Sequence, residues 1–319
     1  MEIRIDPQLM EETVRREAER REREGDPTLF ECYHGLADPL YELSLEEQER
    51  AFEGLHRDLF QRLALGKFLH EAFEEFPPFQ EKIDLVEIRR ARSESEEGAD
   101  LLKSPLLSEG TRILKVGLMS SRFSDLPFLR RLLRHELMHV ADIFEEAFAY
   151  REEPLGTTPS EEAFRVSCYR ILWDIQIDSR LLRQGRETVA GKEERRWEFE
   201  QIYRKLPPAQ RETVFEVLWA AERMPHPKMV ALSKDPNQLL ALAGAERLPE
   251  ETLRGGRLLL PGSPCPLCSF PTYRWMEIAE QEVIGAIQAD YPQWEAEQGT
   301  CERCLDLYQF RVELGSSRG

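Results

Sequence analysis

No apolar run in the 319 residues approaches the ~20 needed to cross a bilayer. Basic charge is also in short supply. Lys and Arg number 43 against 60 Asp and Glu, and the formal net charge is −17. That shortage argues against broad contact with nucleic acid or an anionic membrane. The opening residues Met1-Glu2-Ile3-Arg4-Ile5-Asp6 lack the basic-then-apolar pattern of a secretory leader. A soluble, cytoplasmic chain without a membrane partner is the expectation. Cysteine is scarce, and four of the six Cys fall in two CxxC pairs, a usage that in the cytoplasm favours metal over disulfides. The two remaining, Cys32 and Cys168, are expected as buried thiols. Disorder is excluded for the chain as a whole, because 41% of it is hydrophobic.

What is present reads as a mostly helical chain. Asp6-Pro7 predicts a capped helix start, with the helix running to about Gly25. Ser44 and Glu47 have the spacing of a capping box. The helix behind them is expected to continue from Phe52 through Phe73 and stop at Pro77-Pro78. Strands are expected around Ile83–Ile88 and Arg112–Met119, with an acidic loop at Ser93–Asp100 between them. Ser124 or Asp125 can cap a helix reaching about Phe148, and Ser160 can cap another ending at Gly185. Pro207-Pro208, His226-Pro227 and Asp235-Pro236 mark later breaks. A short strand at Leu258–Leu260 and a helix near Glu277–Ala289 are expected in the last segment. The expected organisation is an N-terminal helical region (1–80), a central region (81–250) and a C-terminal metal-binding module (251–319).

The central helix carries His135-Glu136-Leu137-Met138-His139, an HExxH pattern. Residues i and i+4 share a helix face, so both imidazoles can reach one Zn²⁺. Glu136, angularly offset, can reach water on that ion and act as general base. Zinc lowers the pKa of such water toward ~7. Three fixed positions in five recur by chance in about one chain per hundred of this length, so the surroundings matter. Leu132, Leu133, Leu137, Met138, Val140 and Ala141 are uncharged. Two His and a Glu in an apolar helix need partners, and a metal with its water supplies them.

This segment resembles the zincin metallopeptidases, whose extended signature also has uncharged residues around HExxH. The resemblance covers roughly residues 110–185 and is nearest the thermolysin-like (gluzincin) branch. It implies an α+β fold: a mostly helical zincin-like domain with a small mixed sheet, joined here to a Cys₄ zinc-ribbon-like module. It also implies a third ligand on a later helix. Asp174 is the first candidate there, with Asp178, one turn on, as the alternative. Asp142, Glu145, Glu146 and Glu162 are weaker ones, and a solvated helix face is the bland alternative for Asp174 and Asp178. Asp142 stands where the metzincin pattern has Gly, so that branch is excluded. Zincins use an edge strand above the site to bind extended substrate, and Arg112–Met119 is the strand available for that role or for the core.

Cys265-Pro-Leu-Cys268 and Cys301-Glu-Arg-Cys304 form two knuckles that can close a tetrahedral Cys₄ site. Closed coordination implies stability rather than chemistry. Trp275 and Trp294 are available to pack on it. Glu277, Glu280, Glu282, Glu295 and Glu297 outweigh Arg254, Arg257 and Arg274, which favours a protein contact over DNA. HExxH followed by a Cys₄ ribbon also resembles SprT-like proteases that act near DNA, yet no His lies between His139 and His226 to match their third ligand. His34, His56, His70 and His226 read as surface or satisfied histidines, and Tyr150 and Tyr169 as packing residues or oxyanion stabilisers. The leading expectation is a zinc metallopeptidase with one catalytic and one structural Zn²⁺. It would act on a peptide or protein, with Glu136 as base. The alternatives are a non-catalytic zincin-fold scaffold that binds a protein through its Cys₄ module, or a SprT-like DNA-associated protease.

Overall fold

In a computed structural model of the chain, a strand and a capped helix open the fold. The structure describes residues 1–103, 112–156, 159–203, 206–248, 263–272, 275–276, 278 and 280–316. Strand β1 (Glu2–Ile5) leads into α1 (Pro7–Arg23). Asp6 caps α1 by accepting the Gln8 amide at 2.8 Å, and Pro7 sits in its first turn. Helices α2 (Thr28–Ala37), α3 (Leu45–Arg62), α4 (Lys67–Glu74) and α5 (Phe79–Lys82) follow. The Ser44–Glu47 capping box starts α3 as the spacing predicts. The expected continuation through Phe73 is interrupted. Ala64 turns left-handed (φ 53°), and Gly66 precedes the restart at Lys67. Cys32 is exposed on α2, contrary to the expectation of burial, while Cys168 is buried. Burial pushes the Cys168 thiol up to about 12.

The mixed sheet consists of β1, β2 (Leu85–Arg90), β3 (Gly98–Lys103) and β4 (Arg112–Leu118), in the order β1-β2-β4-β3. β1, β2 and β4 run parallel, and β3 pairs antiparallel with β4. The register sets Ile3, Val86 and Leu114 in one rung and Ile5, Ile88 and Val116 in another. These alternating residues bury one face, as period-2 patterning requires. β4 therefore lies inside the sheet, and the edge beside it is β3. Part of the expected acidic loop, Gly98–Asp100, belongs to that strand. Two glycines meet where β3 and β4 pair, Gly98 opposite Gly117. A Cβ on Gly117 would stand 2.3 Å from the Glu96 carbonyl oxygen, so only glycine fits there.

Helix α6 (Leu126–Phe144) starts at Asp125, which accepts the Phe128 amide at 3.0 Å. Leu129, Leu133, Leu137 and Val140 have no exposed surface and pack into the core that includes Val86, Leu114 and Phe79. Each such side chain contributes about 1.5–3 kcal/mol on burial, enough to seat polar residues between them. The helix ends four residues before the expected Phe148, and a short 3₁₀ turn (Glu146–Phe148) leads to left-handed Ala149.

Helix α7 (Pro159–Arg183) follows, and Gly185 adopts the positive φ of a helix terminator just beyond it. Then come α8 (Lys192–Ile202), α9 (Pro208–Ala220), α10 (His226–Lys234) and α11 (Pro236–Leu242). The last segment contains β5 (Ser263–Pro264), β6 (Pro271–Thr272), β7 (Trp275–Met276), α12 (Gln281–Asp290), β8 (Thr300–Cys301) and α13 (Glu302–Ser316). β5 pairs with β6, and β7 with β8. The expected strand Leu258–Leu260, the boundary near 250, and Arg254, Arg257, Arg274 and Glu277 lie outside the described residues.

The chain divides into one unit of Met1–Tyr150 with Gln176–Lys192, and another of Arg151–Ile175 with Glu193–Gly319. The division falls within α7, which runs through it without a break. In the first unit Asp142 of α6 receives both guanidinium nitrogens of Arg180, at 2.8 and 2.5 Å, and Asp142 is 2% exposed. This fork clamps the two helices. Asp142→Ala would strand Arg180, and unfolding stability in urea is expected to fall by about 3–5 kcal/mol.

Candidate functional site

His135, Glu136 and His139 are buried on α6. The Nε2 atoms of the two imidazoles lie 3.3 Å apart. Two zinc–nitrogen bonds of ~2.0–2.1 Å at a tetrahedral angle span about 3.3–3.4 Å, so the pair already has the spacing of a shared ion. Nδ1 of His135 lies 2.9 Å from Oδ1 of Asp178, which has no exposure. With Nδ1–H donated to this carboxylate, Nε2 keeps its lone pair for a metal.

Asp178 is on the same helix as Asp174, one turn later. Ligand atoms of His135, His139 and Asp174 all lie within 4.8 Å of one another. Asp174 and Asp178 are both buried, which removes the solvated-face reading. They divide the work: Asp174 joins the pair of rings as a candidate ligand, and Asp178 orients one ring from behind. The weaker candidates are engaged elsewhere or exposed. Asp142 holds Arg180, Glu162 accepts the amides of Leu155 and Gly156, and Glu145 and Glu146 are exposed. Arg195 places Nη1 3.7 Å from Asp174 and bonds Glu198 at 2.6 Å, so a guanidinium flanks the Asp174 carboxylate.

Glu136 Oε2 accepts the amide of Ala99 at 3.2 Å, which ties the base candidate to the edge strand β3. Gly98 (φ 148°) adopts a conformation that favours glycine, and a Cβ there would lie 3.4 Å from Glu136 Oε2. Nothing in the sequence announced this neighbour. Leu101-Leu102 breaks the alternation that marks a strand, and the sequence reading passed over it.

The residue before the motif is braced too. Arg134 forks onto Glu75 at 2.7 and 2.8 Å, and Arg186 reaches the same carboxylate. Of the other candidates, Tyr169 bonds His226 Nδ1 at 2.7 Å and is buried, and half-exposed Tyr150 stacks on Phe148.

The four thiols of Cys265, Cys268, Cys301 and Cys304 also fall within 4.8 Å of one another. Sγ–Sγ separations are 3.7 Å for Cys268–Cys301 and 4.0 Å for Cys265–Cys304. Zinc–sulfur bonds of ~2.3 Å at a tetrahedral angle span about 3.8 Å, so this set also fits zinc. Burial disfavours the Cys265 thiolate, but amides of Cys268, Cys301 and Leu267 and the Thr300 hydroxyl outweigh it and bring the pKa down to about 6. Trp294, Val283 and Ile287 pack with Cys265 and Cys304 in one small core, while Trp275 stays half-buried on β7.

Purified protein is expected to contain about two zinc ions per chain by elemental analysis, with His135→Ala and Cys265→Ser each removing about one. An ion count unchanged by His135→Ala would remove α6 from the metal site. A second expectation concerns acid. The hydrogen bond from Arg134 holds the Glu75 carboxyl below its usual range, against the opposing effect of burial. Its stabilisation is complete above the unfolded-state pKa of about 4.3 and is lost as pH falls through the lower folded value. Glu75→Gln is expected to flatten the acid limb of stability below about pH 5, as measured by urea unfolding.

Comparison with protein-family models, with curated proteins and with solved structures gives no match for this chain.

Proposed function

We propose that the protein is a zinc-dependent peptide hydrolase of zincin type, with His135, His139 and Asp174 holding the ion and Glu136 acting as general base. The observation that carries this reading is the 3.3 Å Nε2–Nε2 separation, beside a buried carboxylate pair on α7. Three protein ligands leave one tetrahedral position for solvent or substrate, the arrangement of catalytic rather than structural zinc. When bound, the ion supplies Lewis-acid chemistry: it acidifies water and polarises a carbonyl.

The remaining work belongs to side chains and backbone. Asp178 keeps His135 in one tautomer and orientation. Glu136 takes the proton of the attacking water on a carboxylate oxygen and passes it to the leaving amine. The Ala99 amide, bonded to Oε2, steadies that carboxylate without neutralising it. β3 pairs only with β4 among the described residues, so its other edge can receive an extended peptide by strand addition. This gives β3 the role that the sequence reading offered to Arg112–Met119. The acidic surface agrees with a peptide or protein substrate rather than nucleic acid.

A second reading has one observation in its favour. Phe270, Leu307 and Phe310 of the Cys₄ module are each at least 60% exposed, as a surface for binding another protein would be. In that reading the chain is a zincin-fold scaffold that cleaves nothing. Glu136→Gln decides between them. It is expected to keep both ions and to lose roughly 10²–10⁴-fold in peptide hydrolysis on a peptide library. Full activity in that variant would rule out Glu136 as the base, and a wild-type protein that cuts nothing while fully metallated would favour the scaffold.

A further inference from the structure

Far along the chain from the HExxH motif, in the first unit, a cleft of about 470 Å³ opens among α1, α2 and α3. Rings form its walls. His56 is buried at 4% exposure and lies near-parallel to Tyr33 (5.9 Å, 16°) and to Phe52 (6.0 Å, 26°). Tyr41 meets Phe52 at 5.1 Å, and Phe30 meets His34 at 4.4 Å. Tyr33 Oη and His56 Nε2 are 3.1 Å apart, which fixes the floor. Burial lowers the His56 pKa, so this ring is neutral near pH 7 and repels no cation.

Carboxylates fill the rim. Glu11, Glu19, Glu49 and Glu53 line the cleft, and Arg15 is the one Lys or Arg among its lining residues. Arg15 already lies 3.7 Å from Glu11. Glu49 and Glu53 have no ion pair among the described residues. Along α3, Glu49, Phe52, Glu53 and His56 follow the i, i+3, i+4, i+7 spacing that places them on one helix face. Aromatic faces are the negative end of the ring quadrupole. Ring faces and carboxylates in one cleft therefore add to a local negative potential that a cation relieves. Tyr41 keeps 64% of its surface in water, which core packing alone gives no reason to do.

We propose that this cleft binds the side chain of an arginine carried on a peptide. The guanidinium plane stacks on ring faces, and its forked N–H donors reach the Glu49 and Glu53 carboxylates. Arginine fits better than lysine because its cation is planar, weakly hydrated and rich in directed donors. A peptide fits better than the free amino acid, whose own carboxylate would meet four others. This site is independent of the metal centre and of the activity proposed for it.

The test is calorimetric titration of the full, zinc-loaded chain with Nα-acetyl-arginine amide, its lysine counterpart and the uncharged citrulline counterpart. Arginine amide is expected to bind in the millimolar range and citrulline amide not at all. Tyr41→Ser removes one exposed ring with little effect on the core, and affinity should fall about threefold. Glu49→Gln with Glu53→Gln should weaken it at least about tenfold. Absence of any arginine binding would overturn the proposal. So would citrulline binding as tightly, affinities unmoved in both variants, or tighter binding of lysine amide. Circular dichroism of each variant separates loss of the site from loss of the fold.

Discussion

Asp178 has no contact with solvent, and its carboxylate sits 2.9 Å from Nδ1 of His135. A buried carboxylate without hydrogen bonds would cost several kcal/mol, and this bond helps to offset that cost before it serves any chemistry. It selects the tautomer that leaves Nε2 free to ligate. It also joins α6 to α7, and the Asp142–Arg180 fork repeats that join two residues further along α7.

The two cysteine knuckles solve a different problem. Four thiols can close a tetrahedral shell with no vacancy, and Trp294, Val283 and Ile287 pack beside them in a small core of their own. The histidine set offers three donors, and its helix is held by a large core that does not depend on an ion. Packing as well as donor number thus sets the two candidate metal sites apart.

Capping chemistry was legible because it is local: Asp6, Ser44 and Asp125 start helices where their side chains predict. The HExxH face and the CxxC knuckles were legible for the same reason, since four-residue spacings are read directly from the chain. The pair Asp174 and Asp178 was visible, but sequence could not divide their roles, because that depends on how α7 approaches α6. Strand β3 was missed because its leucines are adjacent rather than alternate. The sheet order, which puts β4 inside and β3 at the edge, is a long-range fact that no local pattern carries. The break at Ala64 was hidden as well, since alanine seldom adopts a left-handed conformation and gives no warning of it.

Gly98 and Gly117 face each other across the two strands nearest Glu136. At Gly117 a single methyl would collide with the backbone of the neighbouring turn, and at Gly98 the positive φ itself favours glycine. This stretch of the sheet is thus closed to ordinary amino-acid variation. If descendants of this sequence come to prefer other ligands, the change must be written on surfaces further along β3 or on α7, while the bare backbone beside Glu136 stays as it is.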